Sequence, residues 1–595
     1  MRASTSRIRS LWRLKRFTRA HSALLLGGIA CFFVARLFEA MVPLYLARGI
    51  DRIGTGNPDV TWPVIAIIGA VCIRFGVVSL ARYLVRQAGL RIAFDMRRQL
   101  FASLQTQGTQ FFNRFGVGDM MTRAVADLAL VQRLFSMGTI LFVILFFATI
   151  VGFSFMVSLS PELTLLILPP MPIVFAYTWY ASRQMGITSV AVQERMSAMG
   201  AQVQENLSGI RTVQAMAQEA NEIRRFGVVN QSYANAFYEQ ARINSLMTSV
   251  SPSLVAICSI TILGYGSNMV LEGKITIGTL TAFFFYVNMV VQPFRVAGMI
   301  VNLFQRAAVA TDRLFEVYEQ APEHPDHPQP DAPTQLVGEI ELRKLTVCYP
   351  TANANALTDI DLSIQAGETI AVMGRVGSGK TTLLRALVRL IEPAKCSVFI
   401  DQRDLFDFPL ATLRSQIAMV PQDAFLFGET LDTNISYDDP SRALESIWQA
   451  ADAADLRTTI ESFPEGMQTM VGERGVTLSG GQKQRTTLAR GLIRQAPILL
   501  LDDCFASVDT ATEEHILRHL GELRRNQTTL MVSHRVSTAR HADRIIMLEG
   551  GCIVEQGTHD SLLAAGGLYA DLERIQREGT EKAPPARDSQ GDSES

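Results

Sequence analysis

Long apolar runs confined to one half of the chain constrain this fold more than any other feature. A helix needs about 20 mostly apolar residues to cross the ~30 Å hydrocarbon core of a bilayer. Six such stretches occupy roughly residues 22–48, 61–83, 137–159, 161–182, 247–271 and 276–303. In hydrocarbon the backbone must satisfy its own hydrogen bonds, so stretches of this length read as helices. The second half lacks them and reads as a soluble α/β domain. Composition supports the division: 48% of residues are hydrophobic and 19% charged, against roughly a quarter charged in soluble proteins. The formal net charge of −1 gives no reason to expect nucleic acid as a partner.

Charge orients the spans. The first twenty residues hold Arg2, Arg7, Arg9, Arg13, Lys15, Arg16 and Arg19 and no acid. A basic start before an apolar run resembles a secretory signal, but five further spans follow and no small-x-small cleavage site stands out. The positive-inside rule instead places residues 1–20 in the cytoplasm. Residues 86–135, with seven Arg against three Asp, also lie inside. Six spans then return the second half to the cytoplasm. The two inner connections, about 50 and 60 residues long, have helical apolar spacing, as in "QERMSAMGAQVQENLSGIRTVQAM". They are expected to project beyond the bilayer and to carry force to the soluble half. Pro169 and Pro170 in the fourth span would kink a soluble helix, and neighbouring membrane helices can absorb them. Arg36, Glu39, Arg74 and Arg295 lie within spans. Such charge suggests a cavity or pathway. Pairing between helices or snorkelling is the alternative, and Arg36 and Glu39 are spaced to pair locally.

Five prolines follow Glu319, so residues 319–336 read as an extended linker between a membrane domain (21–318) and a soluble domain (337–575). His324 and His327 in this stretch read as linker polarity rather than metal ligands. Residues 576–595 read as a disordered tail. The seven cysteines are scattered without metal spacing and read as reduced and structural.

The soluble half carries the chemistry. "ETIAVMGRVGSGKTTLLRAL" places Gly-x-x-x-x-Gly-Lys-Thr between an apolar strand and an amphipathic helix, the required context of a phosphate-binding loop. Gly374, Arg375, Val376, Gly377, Ser378 and Gly379 turn backbone N–H groups toward phosphate oxygens. Lys380 reaches the β- and γ-phosphates of ATP, and Thr381, followed by Thr382, holds Mg²⁺ through its hydroxyl. The second metal anchor is expected on a neighbouring parallel strand, and "ILLLD", ending at Asp502, has the continuous apolar run of a strand buried on both faces.

"TLSGGQKQRTTLAR", Thr477 to Arg490, resembles the signature motif of ABC transporters. With the loop and six spans before it, residues 20–575 resemble an exporter-type half-transporter. The resemblance implies a six-helix all-α transmembrane domain with long intracellular helices, followed by an α/β P-loop nucleotide-binding domain. It implies roles for further residues. Tyr349 stands where the family stacks an aromatic on adenine. Gln422 matches the Q-loop that senses Mg²⁺. "VGERG", Val471 to Gly475, resembles the X-loop, "ASVD", ending at Asp509, the D-loop, and His534 the switch histidine. In the family two nucleotide domains pair head to tail. Ser479, Gly480, Gly481 and Gln482 of one chain, with Asp509, then meet the ATP held by the other. Asp503 stands where active members carry the Glu that polarises the attacking water. Aspartate is shorter by one C–C bond, ~1.5 Å, and a displacement of about 1 Å can cost on the order of a hundredfold in rate.

The expectation is therefore an ATP-driven exporter in the cell (inner or plasma) membrane, acting on a small lipophilic or drug-like substrate from the lipid bilayer or cytoplasm. The replaced Glu beside an intact signature favours a heterodimer with a second half-transporter. A homodimer, exporting lipid or peptide, in which Asp503 serves both sites is the alternative. A reading of another class is an ATP-gated channel or regulatory membrane subunit, and no long regulatory insertion supports it. No N-terminal peptidase domain precedes the first span, which argues against a leader-cleaving exporter.

Overall fold

A computed structural model of the chain describes residues 10–56, 59–293, 297–325, 335–349, 354–472, 475 and 477–581. The chain divides into two compact units, Met1–Pro322 and Glu323–Ser595.

The first unit is helical. Its long helices are α1 (Ser22–Gly54), α2 (Thr61–Gln105), α3 (Thr139–Leu159), α4 (Pro170–Ser208), α5 (Glu219–Leu271), α6 (Ile277–Val291) and α7 (Ala297–Tyr318). Four continuous helical runs, Leu11–Gly54, Thr61–Gln105, Val117–Leu159 and Pro161–Ser208, are long and apolar enough to cross a membrane. Two shorter apolar stretches, Ala256–Leu271 and Ile277–Val291, occupy the positions of the expected fifth and sixth spans. The fifth is the end of a single 53-residue helix, about 80 Å long at 1.5 Å per residue. The sixth, expected over 276–303, is described as α6 to Val291 and as α7 from Ala297, with residues 294–296 outside the described residues. Arg295 lies outside the described residues. The helical continuations expected between the fourth and fifth spans are present in α4 and α5, which pack on each other.

Local chemistry sets the boundaries. Ser160 ends α3 and caps the following helix, its Oγ accepting from the Leu163 N–H at 3.3 Å with Pro161 in the first turn. That helix stops at Ile167, and a turn at Leu168 and Pro169 leads into α4, which Pro170 begins. The backbone stays helical at Pro169, with φ −60° and ψ −42°, so Pro161–Ser208 remains one continuous helical run that absorbs the prolines. Each lacks an N–H that the helical ladder would use. Thr276 caps α6 through the Thr279 N–H at 3.1 Å. Asp51 at the end of α1 accepts from the Gly278 N–H at 2.8 Å and the Thr276 hydroxyl at 2.7 Å, fastening α6 to α1. The basic start is more than a charge signal: Leu14 and Phe17 are buried, and Arg16 lies over the rings of Phe315 and Tyr318.

The second unit holds two sheets. One has strand order β2-β1-β4-β5, from β1 (Ile340–Cys348), β2 (Asn355–Ile364), β4 (Val398–Ile400) and β5 (Arg403–Asp404). The other has order β10-β9-β3-β8-β7-β6, from β3 (Thr369–Gly374), β6 (Ile417–Val420), β7 (Ile498–Asp502), β8 (Thr528–Val532), β9 (Arg544–Glu549) and β10 (Cys552–Gly557). Strands β9, β3, β8, β7 and β6 run parallel. Every residue of β7 and β8 is buried, as both-face coverage of a parallel sheet demands. The carboxyl ends of β3, β7 and β8 therefore open together, where ligands of such sheets bind. The last helix runs on to Glu581, beyond the expected domain end at 575. None of the seven cysteines is in a disulfide; Cys258 and Cys504 are buried, and Cys31 packs partly buried against the cluster of Phe32, Ala81, Val85 and Val143.

Candidate nucleotide site

Strand β3 ends at Gly374 with φ +146°, where a Cβ would sit 2.1 Å from the Leu548 carbonyl oxygen. Only glycine fits that turn. Gly379, at φ +101°, turns the chain into helix α8 (Lys380–Leu387). Between them the loop closes on its own lysine: Lys380 Nζ donates to the carbonyls of Gly374 and Arg375, each at 2.9 Å. Lys380 is 6% exposed. Burial pushes its pKa below the ordinary value, and the charges of Asp503 and Asp502 partly oppose this.

A cavity of about 400 Å³ opens above this loop. Val376, Gly377, Ser378, Gly379, Lys380, Thr381 and Thr382 line it, together with Tyr349, Gln422, Asp502, Asp503 and His534. Residues far apart in sequence thus share one site. Thr381 Oγ1 donates to Asp502 Oδ1 at 2.9 Å, joining the loop to the end of β7. The Tyr349 and Thr382 hydroxyls are 3.1 Å apart, which holds the ring at the cavity edge. The Ser378 hydroxyl is buried without a hydrogen-bond partner, a polar group directed to a loop built for phosphate. Burial raises Asp502 above the ordinary carboxylate range. These groups fit Mg²⁺ and a nucleotide: an orphan donor, a buried cation, and a hydroxyl and carboxylate within reach of one metal. No separate cluster of His, Cys, Asp and Glu could hold a metal ion among the described residues. His324 instead faces Glu392, Nδ1 to Oε1 at 3.0 Å, and His327 lies outside the described residues.

Asp503 adopts φ +46°, and its N–H donates to the Val532 carbonyl at 3.1 Å. Burial raises its pKa, against the charges of His534, Lys380 and Arg535. The side chain lies on the cavity wall with Lys380 and His534.

The other predicted group stands apart from this cavity. Ser479 begins helix α9 (Gly480–Leu492), and a reciprocal capping box forms: Ser479 Oγ accepts from the Gln482 N–H at 3.3 Å, and Gln482 Oε1 from the Ser479 N–H at 2.9 Å. Asp509 caps helix α10 (Thr510–Leu523), accepting from the Thr512 N–H at 2.9 Å. Neither group lines the cavity. Gln484 joins them, its Oε1 accepting from the Ser507 N–H at 2.8 Å. In the X-loop segment, Glu473 and Arg474 lie outside the described residues.

Several supporting residues escaped the sequence reading. Arg490 donates to the Phe425 carbonyl at 2.8 Å and the Asn434 carbonyl at 2.7 Å, binding the end of the signature helix to the segment after Gln422. Gln576 donates to the His534 carbonyl at 2.6 Å and accepts from the Val536 N–H at 2.9 Å, bracing the histidine from the last helix. Glu513, 1% exposed, takes Arg535 and Thr538. Arg490 lies inside a recognisable motif, but nothing local in sequence names its partners.

Residues 25–294 match the family described as ABC transporter transmembrane region, and residues 357–506 the family described as ABC transporter. Among similar proteins is Bacillus subtilis YwjA, named an uncharacterized ABC transporter ATP-binding protein. It is 34% identical, over 91% of this chain and 94% of its own. B. subtilis YheI, named a probable multidrug resistance ABC transporter ATP-binding/permease protein, is 33% identical over 80% of this chain and 81% of its own. A Syntrophus aciditrophicus protein named an ATP-dependent lipid A-core flippase is 31% identical over 95% and 94%. A helical membrane unit followed by a nucleotide-binding unit, with matches spanning both, shows that this chain belongs to the ABC transporter family, as an exporter-type half-transporter whose ATPase is coupled to transport.

Proposed function

We propose that this chain is one half of a dimeric exporter whose two nucleotide sites are unequal, with a different half-transporter as its partner. One observation carries the dimeric reading, and the unequal sites rest on Asp503 beside an intact signature. The cavity gathers the loop, Asp502, Asp503, Gln422 and His534 but excludes Ser479–Gln482 and Asp509. A second chain must supply a signature to complete it. The anion-binding N-terminus of α9 is in turn free to complete the other chain's site.

Mg²⁺-ATP supplies the phosphoryl group, with the metal neutralising developing charge. Lys380 is placed to hold the phosphates, Thr381 and Asp502 the metal, and Tyr349 the adenine. Gln422, on the cavity lining, senses the metal. Asp503 orients and deprotonates the attacking water, with His534 opposite. Because Asp503 is shorter than glutamate, this site binds ATP firmly and turns over slowly. Six apolar helices cross the inner or plasma membrane, with the N-terminus and nucleotide unit cytoplasmic. The cargo is small and lipophilic or drug-like, a reading supported by the multidrug relative. Lipid export by a homodimer is the second reading, supported by the flippase relative.

The intact mass of the complex, purified in mild detergent from its native membrane, tests this. A second, different half-transporter is the expected result. A dimer of this chain alone overturns the asymmetric reading.

A further inference from the structure

The membrane unit holds another cavity, of about 530 Å³. Its charged edge is Arg36 and Glu39 on α1 and Arg74 on α2, and Val42, Val71 and Phe285 are among its apolar walls. At 1.5 Å per residue, Arg36 and Arg74 each lie about 20 Å along their helices, well inside apolar stretches.

The charges do not balance. Arg36 donates to one oxygen of Glu39, and Arg74 Nη2 lies 3.3 Å from the other. Two cations share one carboxylate. The Arg74 Nε is buried with no hydrogen-bond partner. An unpaired donor and an uncompensated charge within a membrane segment are costly, and such groups mark ligand sites. The guanidinium fork matches planar or tetrahedral oxyanions and accepts nothing.

We propose that this cavity binds an amphiphile with an oxyanion head (carboxylate, sulfate or phosphate) on an apolar body. The head pairs with Arg74 and Arg36, and the body lies against Val42, Val71 and Phe285. A cationic amphiphile would add repulsion, and a neutral one could accept a hydrogen bond but would leave the second positive charge uncompensated. The volume suits one drug-sized body. That the occupant is cargo rests on the exporter reading.

The test uses the purified complex in phosphatidylcholine nanodiscs. Saturable binding is measured for dodecanoate, dodecyl phosphate, dodecyltrimethylammonium and dodecanol, with basal ATP hydrolysis followed in the same discs. The two anions are expected to bind at least tenfold more tightly than the cation or the alcohol, and their ratio identifies the preferred head. Arg74→Gln should weaken anion binding about ten- to a hundredfold. Arg74→Lys, keeping charge but not the fork, should fall between. Glu39→Gln, which frees both arginines, should tighten it. Equal binding of all four probes, or anion affinity that neither Arg74→Gln nor Glu39→Gln shifts, overturns the proposal. Selective anion binding without ATP hydrolysis would count against the exporter reading and leave the anion site standing.

Discussion

Asp503 stands in the left-handed region at φ +46° on the wall of the nucleotide cavity. Its position there depends on backbone as well as on side-chain length. If reach limits the site, Asp503→Glu raises phosphate release about ten- to a hundredfold. No gain, measured on the purified complex, would place the limit elsewhere. Protonation matters too. Burial raises Asp503 above 3.8, so the base is lost, as pH falls, earlier than an ordinary aspartate would be. The acid limb of kcat/KM for this site is expected above that value, and a limb at or below it would contradict the role. The same shift has a stability consequence. The folded state keeps protons that the unfolded chain releases, so stability from Asp502 and Asp503 falls as pH rises from 3.8 through their raised values.

Elements are held by groups at their ends. Arg490, at the end of the signature motif on α9, satisfies the Phe425 carbonyl and, on Asn434, both the carbonyl and the side-chain oxygen. Arg490→Ala strands these acceptors and is expected to cost about 2–4 kcal/mol. A fall in the melting temperature of the nucleotide unit, seen by calorimetry on the full chain, would show it. Arg490→Lys should recover only part, since an ammonium cannot span the three acceptors. In the membrane unit, a Cβ on Gly278 would lie 2.1 Å from the Ala47 carbonyl oxygen. Gly278→Val therefore forces α6 off α1, with loss of yield in detergent extracts as the readout, whereas Gly264→Ala, with open space around it, should be tolerated.

For the whole molecule the asymmetry makes a directional prediction. Gly480→Asp puts a negative charge at the N-terminus of α9, where a second chain's phosphate would bind. Its Cβ meets nothing closer than 3.6 Å, so the fold survives. In the heterodimer this change should abolish most turnover, because it spoils the partner's active site. Lys380→Ala, which spoils this chain's own slow site, should cost less. Equal losses from the two variants would indicate equivalent sites.

Sequence alone determined what depends on local spacing and composition. Gly374–Thr381 requires a strand, a turn and a helix in that order, and the apolar run before Asp502 requires a strand buried on both faces. The apolar runs mark the candidate spans without any contact being known. Tertiary structure decided what depends on distant partners. Only the parallel order β3-β8-β7 brings Thr381 to Asp502 and His534 to the same cavity. At Pro169 the missing N–H is offset by a tighter turn, in which the Leu168 N–H donates to the Leu165 carbonyl at 3.3 Å, and the helical run continues. The local pairing of Arg36 and Glu39 was legible in their spacing. That Arg74 joins them, leaving one buried N–H unpaired, follows from α1 packing on α2, and no spacing along the chain encodes that contact.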